Sequence, residues 1–130
     1  MVTIMLKTHL MINSLLCGQV ISLGSGSAVI ELKTSLEMIS DEKKLIHGGF
    51  IFGAADYSAM CAVNHPNVVL GSSEVKFIAP VKLGDPVVFN AKIVESKGKK
   101  QIVNVAGTVN ANIVFEGIFT CFVLEKHVLD

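Results

Sequence analysis

Between Phe50 and Val63 the chain carries a single charged side chain, Asp56. The surrounding residues include Phe50, Ile51, Phe52, Tyr57, Met60 and Val63, with small residues Gly53, Ala54, Ala55 and Ala59 between them. At about 1.5 Å per residue, the stretch from Gly49 to Val63 makes a helix roughly 22 Å long. A helix that is apolar nearly all round belongs in an interior, not on a surface. Asn64-His65-Pro66-Asn67 stops it, because Pro66 cannot continue a helix. With 130 residues the chain has material for one core. Whatever else it forms must therefore close around this helix.

The remaining segments supply the cover. Gln19–Leu23 and Ala28–Leu32 read as two short strands, and Gly24-Ser25-Gly26-Ser27 between them reads as a hairpin connection. Thr34–Lys44 is polar and irregular. After the helix, strand signals run over Val68–Ile78, Val87–Val94, Gln101–Val109 and Ile113–Leu124. They are separated by the loop Pro80–Pro86, the turn Ser96-Lys97-Gly98-Lys99 and the connection Asn110-Ala111-Asn112. Ahead of all this, the apolar spacing of Met5, Leu6, Leu10, Met11, Ile12, Leu15 and Leu16 predicts a short amphipathic helix ending at Gly18, so that residues 1–16 form an N-terminal helical segment. The expected architecture is α+β: one domain over residues 1–130, with an antiparallel sheet of five to six strands wrapped around one long central helix.

The hydrophobic share is 51%, high for a soluble monomer, and yet no run is long enough to span a membrane. The excess apolar surface, together with open sheet edges, points to pairing with further copies of the chain. Lys+Arg and Asp+Glu are equal at 11 each, which gives no electrostatic case for nucleic acid as a partner. Cys17, Cys61 and Cys121 are far apart and lack metal-ligand spacing, so no metal site is expected. They read as reduced thiols of a cytoplasmic protein. The N-terminus has one Lys and no small-residue cleavage site, so it does not read as a signal peptide.

A carboxylate in an apolar segment costs several kcal/mol if it stays ionised and unpaired, on the order of the penalties known for buried charges. Asp56 is therefore a candidate catalytic group, whose buried carboxyl should have a raised pKa suited to a general base. Just before the helix lies His47-Gly48-Gly49. A helix N-terminus offers unpaired N–H groups and partial positive charge, the requirement for stabilising an oxyanion.

Taken together, these residues resemble the hotdog fold. More narrowly, the chain resembles the acyl-CoA thioesterases of the phenylacetyl-CoA thioesterase type. The likeness rests on His47-Gly48-Gly49 opening the helix, Asp56 nine residues after the His, Asn64 eight residues further on, and the strand-end loop Phe77-Ile78-Ala79-Pro80-Val81-Lys82-Leu83-Gly84-Asp85. It extends over essentially the whole chain beyond residue 17. The resemblance implies at least a dimer with sheets continuous across the interface, active sites between subunits, and either a homodimer or a dimer-of-dimers tetramer. It implies that Asp56 acts as nucleophile or general base toward a thioester carbonyl, that the Gly48 N–H polarises the carbonyl oxygen, and that His47 shapes the loop or meets the ligand. It further implies substrate contacts at Gly49, Asp41 and Asn64, the last also a helix-end cap. Coenzyme A would enter as part of the substrate, with no separate cofactor.

Three positions depart from that pattern. Asp41 stands where the family has Asn six residues before the His. Leu70 falls where it has Ser or Thr, with Ser72 and Ser73 close enough to substitute. Ala79 replaces an Arg before the strand-end Pro. Lys97, Lys99 and Lys100 could meet coenzyme A phosphates or form a solvated turn. The leading function is hydrolysis of an acyl-CoA or acyl-carrier thioester. The alternative is a non-catalytic acyl-CoA-binding protein acting as a sensor through a protein partner. A dehydratase on the same fold comes third, because His47 and Asp56 do not match its His/acid arrangements.

Overall fold

A computed structural model describes residues 3–130. Two strands, β1 (Gln19–Gly24) and β2 (Ser27–Lys33), precede the long helix α2 (Gly48–Val63). Four more follow: β3 (Val68–Phe77), β4 (Pro86–Lys97), β5 (Lys100–Val109) and β6 (Asn112–Val123). They form one six-stranded sheet in the order β1-β2-β4-β5-β6-β3. Every pairing is antiparallel. The crossover through α2 carries the chain from β2 to the far edge, so β3 is left with one side unpaired. This is the hotdog architecture expected from the sequence.

The strands alternate as half-buried strands should. On the inner face lie Ala28, Ile30 and Leu32 of β2, Val87, Phe89 and Ala91 of β4, and Val103 and Val105 of β5, with Phe115, Phe119 and Cys121 of β6. Phe89, Phe115 and Phe119 are fully buried against α2 and each other. Side chains of that size contribute about 1.5–3 kcal/mol each through burial. Gly107 makes room for them: a Cβ there would sit 2.9 Å from the Phe89 ring. Along α2, all residues from Ile51 to Ala62 are buried except Phe52, Gly53 and Asp56. Three strand connections tighten to two residues, with Ser27 opposite Gly24, Lys100 opposite Lys97 and Asn112 opposite Val109.

The N-terminal segment differs from expectation. Among its described residues the only helix is the single turn α1 (Ser14–Cys17), with the Asn13 side chain as N-cap. Before it the chain is a largely extended strap beside α2. Ile4, Leu6 and Thr8 turn inward while Thr3, Met5 and Lys7 face solvent, a two-residue period. The strap is tied to the end of α2 rather than folded on itself: the Lys7 N–H donates to Asn64 Oδ1 at 2.7 Å, and Asn64 Nδ2 donates to the Met5 carbonyl at 2.8 Å.

Candidate active site

The start of α2 is bare. His47 is the N-cap, and its side chain makes no capping bond. Its backbone is fixed instead: its N–H donates to the Met38 carbonyl at 2.9 Å, and its own carbonyl accepts from Phe50 at 3.1 Å. The N–H groups of Gly48 and Gly49 donate to nothing among the described residues. Both glycines stand under rings. A Cβ at Gly48 would lie 3.3 Å from the Phe77 ring, and one at Gly49 3.0 Å from the His47 ring. An apolar cleft of about 320 Å³ opens beside Gly48, lined among others by Leu45, Ile51, Phe77, Ile78 and Val114.

Asp56 lies two turns along, on the one stripe of α2 that the sheet leaves uncovered. Gly49 on this stripe is exposed, and Phe52, Gly53, Asp56 and Val63 are half-buried. Their spacing of three, four or seven residues keeps them on one side of the helix. A Cβ at Gly53 would meet nothing within 4 Å, so the stripe stays open in front of Asp56. Asp56 Oδ1 is fully buried and accepts no hydrogen bond. Burial alone raises its carboxyl from 3.8 to about 6. Cys17 and Cys121 lie close enough to feel its charge. Both thiols are pushed up by burial and then by the Asp56 charge, Cys121 to about 12. These neighbours come from distant segments, and nothing in the sequence marks them.

The strand side of the groove is set by register. Leu70 pairs with Cys121, Ser73 with Phe119, Val75 with Gly117 and Phe77 with Phe115, so these four β3 residues share the inner face. A bulge between Leu70 and Ser72 resets the alternation. Ser73 therefore turns inward, opposite Phe119, whose ring meets Phe52 of α2 at 5.7 Å. Ser72, paired with Thr120, turns to the outer face. Of the two serines, only Ser73 shares a face with the Asp56 groove.

Other expected contacts are placed differently. Asp41 turns to its own loop, where Oδ1 accepts from the Lys43 and Leu45 N–H groups at 3.0 and 3.2 Å. Asn64 caps α2 in the left-handed conformation (φ 52°), and its amide is taken up by the strap. Asn64 is thus a helix-end cap, and its amide also ties the strap to α2. Lys97 and Lys99 are exposed in the β4–β5 turn. Lys100 pairs with Phe122, whereas Phe77, over Gly48, pairs with Phe115. Seven residues of strand separate these points, roughly 23 Å, so within one chain the two lysines do not join Gly48.

A family model for the thioesterase superfamily matches residues 43–110, just over half of the chain and including everything from the loop before α2 to β5. The chain belongs to the thioesterase superfamily. Among curated relatives it is 49% identical over 121 residues to the methylthioribose-1-phosphate isomerase of Aquifex aeolicus, covering 92% of this chain and 26% of that one. It is 27% identical over 124 residues to the transcription factor FapR of Caldanaerobacter subterraneus, covering 95% of this chain and 62% of that one. Thus it spans about a quarter of the first and less than two thirds of the second. Among solved structures, protein PH1136 from Pyrococcus horikoshii is 52% identical with a TM-score of 0.98, covering 100% of both chains. A hypothetical thioesterase protein with coenzyme A from Streptococcus pneumoniae is 19% identical (TM-score 0.76, covering 84% of this chain and 87% of that one). A mutant of the phenylacetic acid degradation protein PaaI from Thermus thermophilus is 24% identical (TM-score 0.77, covering 84% and 95%). The likeness to the last two is one of fold. No helix among the described residues is long and apolar enough to cross a membrane.

Proposed function

We propose that the protein hydrolyses the thioester of an acyl-CoA or acyl-carrier substrate in a site built by two copies of the chain. The observation that carries this reading is Asp56: a buried carboxylate without a hydrogen bond, on an open stripe of α2, with its pKa near 6. A group so placed is poised to take a proton near neutral pH.

One chain cannot complete the site. Asp56 is eight residues beyond Gly48, about 12 Å along the helix axis. A single carbonyl cannot touch both the Gly48 N–H and the Asp56 carboxylate of the same helix. Gly48 of one copy and Asp56 of a second therefore act together. The free edge of β3, ten residues long, supports pairing that brings two copies side by side. This is a homodimer at least.

In this reading the Gly48 N–H holds the thioester oxygen, and Asp56 takes a proton from water as the water oxygen attacks the carbonyl carbon. The oxyanion forms against the bare helix N-terminus. The C–S bond then breaks, and the departing sulfur takes the proton from Asp56. The products are a free acid and a thiol. The apolar cleft beside Gly48 suits an acyl group, and His47 holds the loop that presents Gly48. Coenzyme A takes part as substrate only, without a further cofactor. The free Cys17, Cys61 and Cys121 fit a reducing, cytoplasmic setting.

The test is a panel of acyl-CoAs with a thiol reagent. The reading fails if no chain length gives thiol release that Asp56→Asn abolishes. A second reading, acyl-CoA binding without turnover, draws on the likeness to FapR along 95% of the chain and on Leu70 and Ala79. Calorimetric binding without thiol release would favour it.

A further inference from the structure

Beyond the C-terminal end of α2 the two terminal segments of the chain come together. The strap and the tail after β6 border a cleft of about 320 Å³, lined by Thr8, His9, Asn67, Val69, His127 and Val128 among others. Both segments lie outside the residues that the family model matches. Two imidazoles from opposite ends of the sequence thus line one small space. His127 Nδ1 accepts the Leu129 N–H at 3.0 Å, which leaves Nε2 as its donor. His9 Nδ1 lies 2.7 Å from the hydroxyl of the buried Thr8, and its ring centroid is 6.2 Å from that of Tyr57. The His9 backbone is left-handed (φ 54°), an unusual conformation for a residue with a Cβ. Asn67 gives Nδ2 to the Leu124 carbonyl, which leaves Oδ1 as an acceptor. Cations stand at the same end of the sheet. Lys97 is opposite Lys100, Lys100 opposite Phe122, and Phe122 opposite Val69. Lys100 is therefore two strand spacings, about 10 Å, from the Val69 wall of the cleft. Neither Lys97, Lys99 and Lys100 nor the acids Glu95, Glu125 and Asp130 form an ion pair among the described residues.

A two-fold pairing of the free β3 edges runs the two α2 helices antiparallel. With the partner's Gly48 at the level of Asp56, the axis crosses α2 midway between those positions, near Phe52. From Asp56 the groove then leads two ways. Toward lower numbers lie the axis and the second site. Toward higher numbers lies the C-terminal end of α2 at Asn64, eight residues or about 12 Å away. The arm that carries the thioester sulfur leaves by the second way, and the cleft between strap and tail stands at its end. We infer that this cleft holds a purine nucleotide, so that acyl groups reach the site on coenzyme A and not on a carrier protein. The inference rests on the thioester reading and on the edge dimer. Nucleobases stack on imidazole rings, and purine ring nitrogens accept hydrogen bonds. His9 and His127 supply the rings, His127 Nε2 a donor, and Asn67 Oδ1 an acceptor for an exocyclic amino group. The lysines of the β4–β5 turn supply charge for the phosphates. The volume is that of a small-molecule site. A carrier protein presents its arm from its own folded surface and has no base to place there.

The experiment is calorimetry on the full chain with adenosine 3′,5′-bisphosphate, which is the nucleotide end of coenzyme A without arm or thioester. Circular dichroism confirms folding. The wild type should bind it. His127→Ala should weaken binding about tenfold, the effect of losing one stacked ring. His9→Asn should do the same, since Asn tolerates the left-handed backbone. In thiol-release assays His127→Ala should raise KM for acyl-CoA by a similar factor with kcat kept, and leave KM for the matching acyl-pantetheine unchanged. The inference is overturned if the bisphosphate does not bind the wild type or if both variants bind as the wild type does. It is equally overturned if KM rises alike for both substrates, or if an acyl-carrier protein is turned over with a higher kcat/KM than acyl-CoA. Asp56→Asn separates this inference from the hydrolytic reading, because it should abolish thiol release and keep bisphosphate binding. Bisphosphate binding by a wild type that releases no thiol would sink hydrolysis alone, and thiol release without that binding would sink the nucleotide cleft alone.

Discussion

The two ends of α2 make a contrast. Each is marked in the sequence by a polar residue near Gly or Pro, His47 just before Gly48 at the start and Asn64 two residues before Pro66 at the finish. At the finish the groups of Asn64 are used: its backbone N–H closes on the Met60 carbonyl, and both halves of its amide are tied to the strap. At the start little is used: the His47 side chain makes no cap, and the Gly48 and Gly49 N–H groups have no partner among the described residues. Satisfied hydrogen bonds stabilise a fold, whereas free donors at a helix N-terminus are available to a ligand. Substitutions at the finish should therefore change stability with activity kept, and those at the start the reverse.

The sharpest way to break this contrast lies between the ends. Asp56→Asn should lower thiol release by about 10²–10⁴-fold, the usual contribution of a positioned general base. The same change should stabilise the protein at neutral pH. The Asp56 carboxyl titrates at about 6 in the fold, against an ordinary 3.8. The native state thus holds its proton more tightly than the unfolded chain, and stability falls as pH rises between those values. Two pK units correspond to about 3 kcal/mol. Urea melts should show Asp56→Asn more stable at pH 7 by on the order of 2–3 kcal/mol, with the gap closing near pH 3.5. In the wild type, kcat/KM should rise with pH through about 6 as the base loses its proton. A flat profile there would remove Asp56 from the chemistry.

Gly48→Pro tests the bare end directly. Proline is tolerated at the first helical position, and His47 already has the extended backbone (ψ 131°) that a residue before proline requires. The change removes one N–H and little else, since Phe77 is exposed enough to yield to the ring. Activity should drop about 10²–10³-fold, as for loss of one oxyanion donor. The melting temperature should hold within a few degrees. A large loss of stability with intact activity would show that the free N–H is not the acceptor site.

Asn64→Ala is the counterpart at the finished end. It deletes two hydrogen bonds to the strap and puts a Cβ residue without a local partner in the left-handed conformation. Stability should fall by about 2–3 kcal/mol. The strap and cap touch no reacting group, so kcat/KM should stay within about threefold of wild type. Asn64→Gly should recover the backbone part of that loss but not the strap bonds.

How much of this can be read in the sequence differs between the same regions. The helix is legible because Pro66 ends it and its apolar content allows only burial. The strands are legible because their alternation is local. The strap reads as a helix because Met5, Leu6, Leu10 and Met11 satisfy helical spacing, while Ile4, Leu6 and Thr8 satisfy the two-residue period that the fold uses. Its decisive contact, with Asn64, is 57 residues away from Lys7 and leaves no local trace. The site divides likewise. Asp56 and Gly48 stand out as a lone charge and a helix start. The inward turn of Ser73 depends on a bulge, and the placement of Cys17 on α1 and Cys121 on β6 depends on how these elements pack around α2, both tertiary facts.

The smallest effect is expected at Asp41, in the loop that leads to the bare end. Set against the Asn of the family pattern, an acid there reads as a loss, because a carboxylate cannot donate. The geometry removes that difference, since Asp41 acts only as an acceptor, through one oxygen that receives two N–H bonds. An amide oxygen can do the same. Asp41→Asn should leave stability within about 0.5 kcal/mol, as at other surface positions, and should leave thiol release unchanged. Asp41→Ala should lose both bonds and about 1 kcal/mol. It should also slacken the turn that fixes Lys44 at φ 64° two residues before Ile46, and so raise KM more than it lowers kcat. If Asn instead matches Ala, the negative charge itself matters at this loop, and the turn's two hydrogen bonds are not its main contribution.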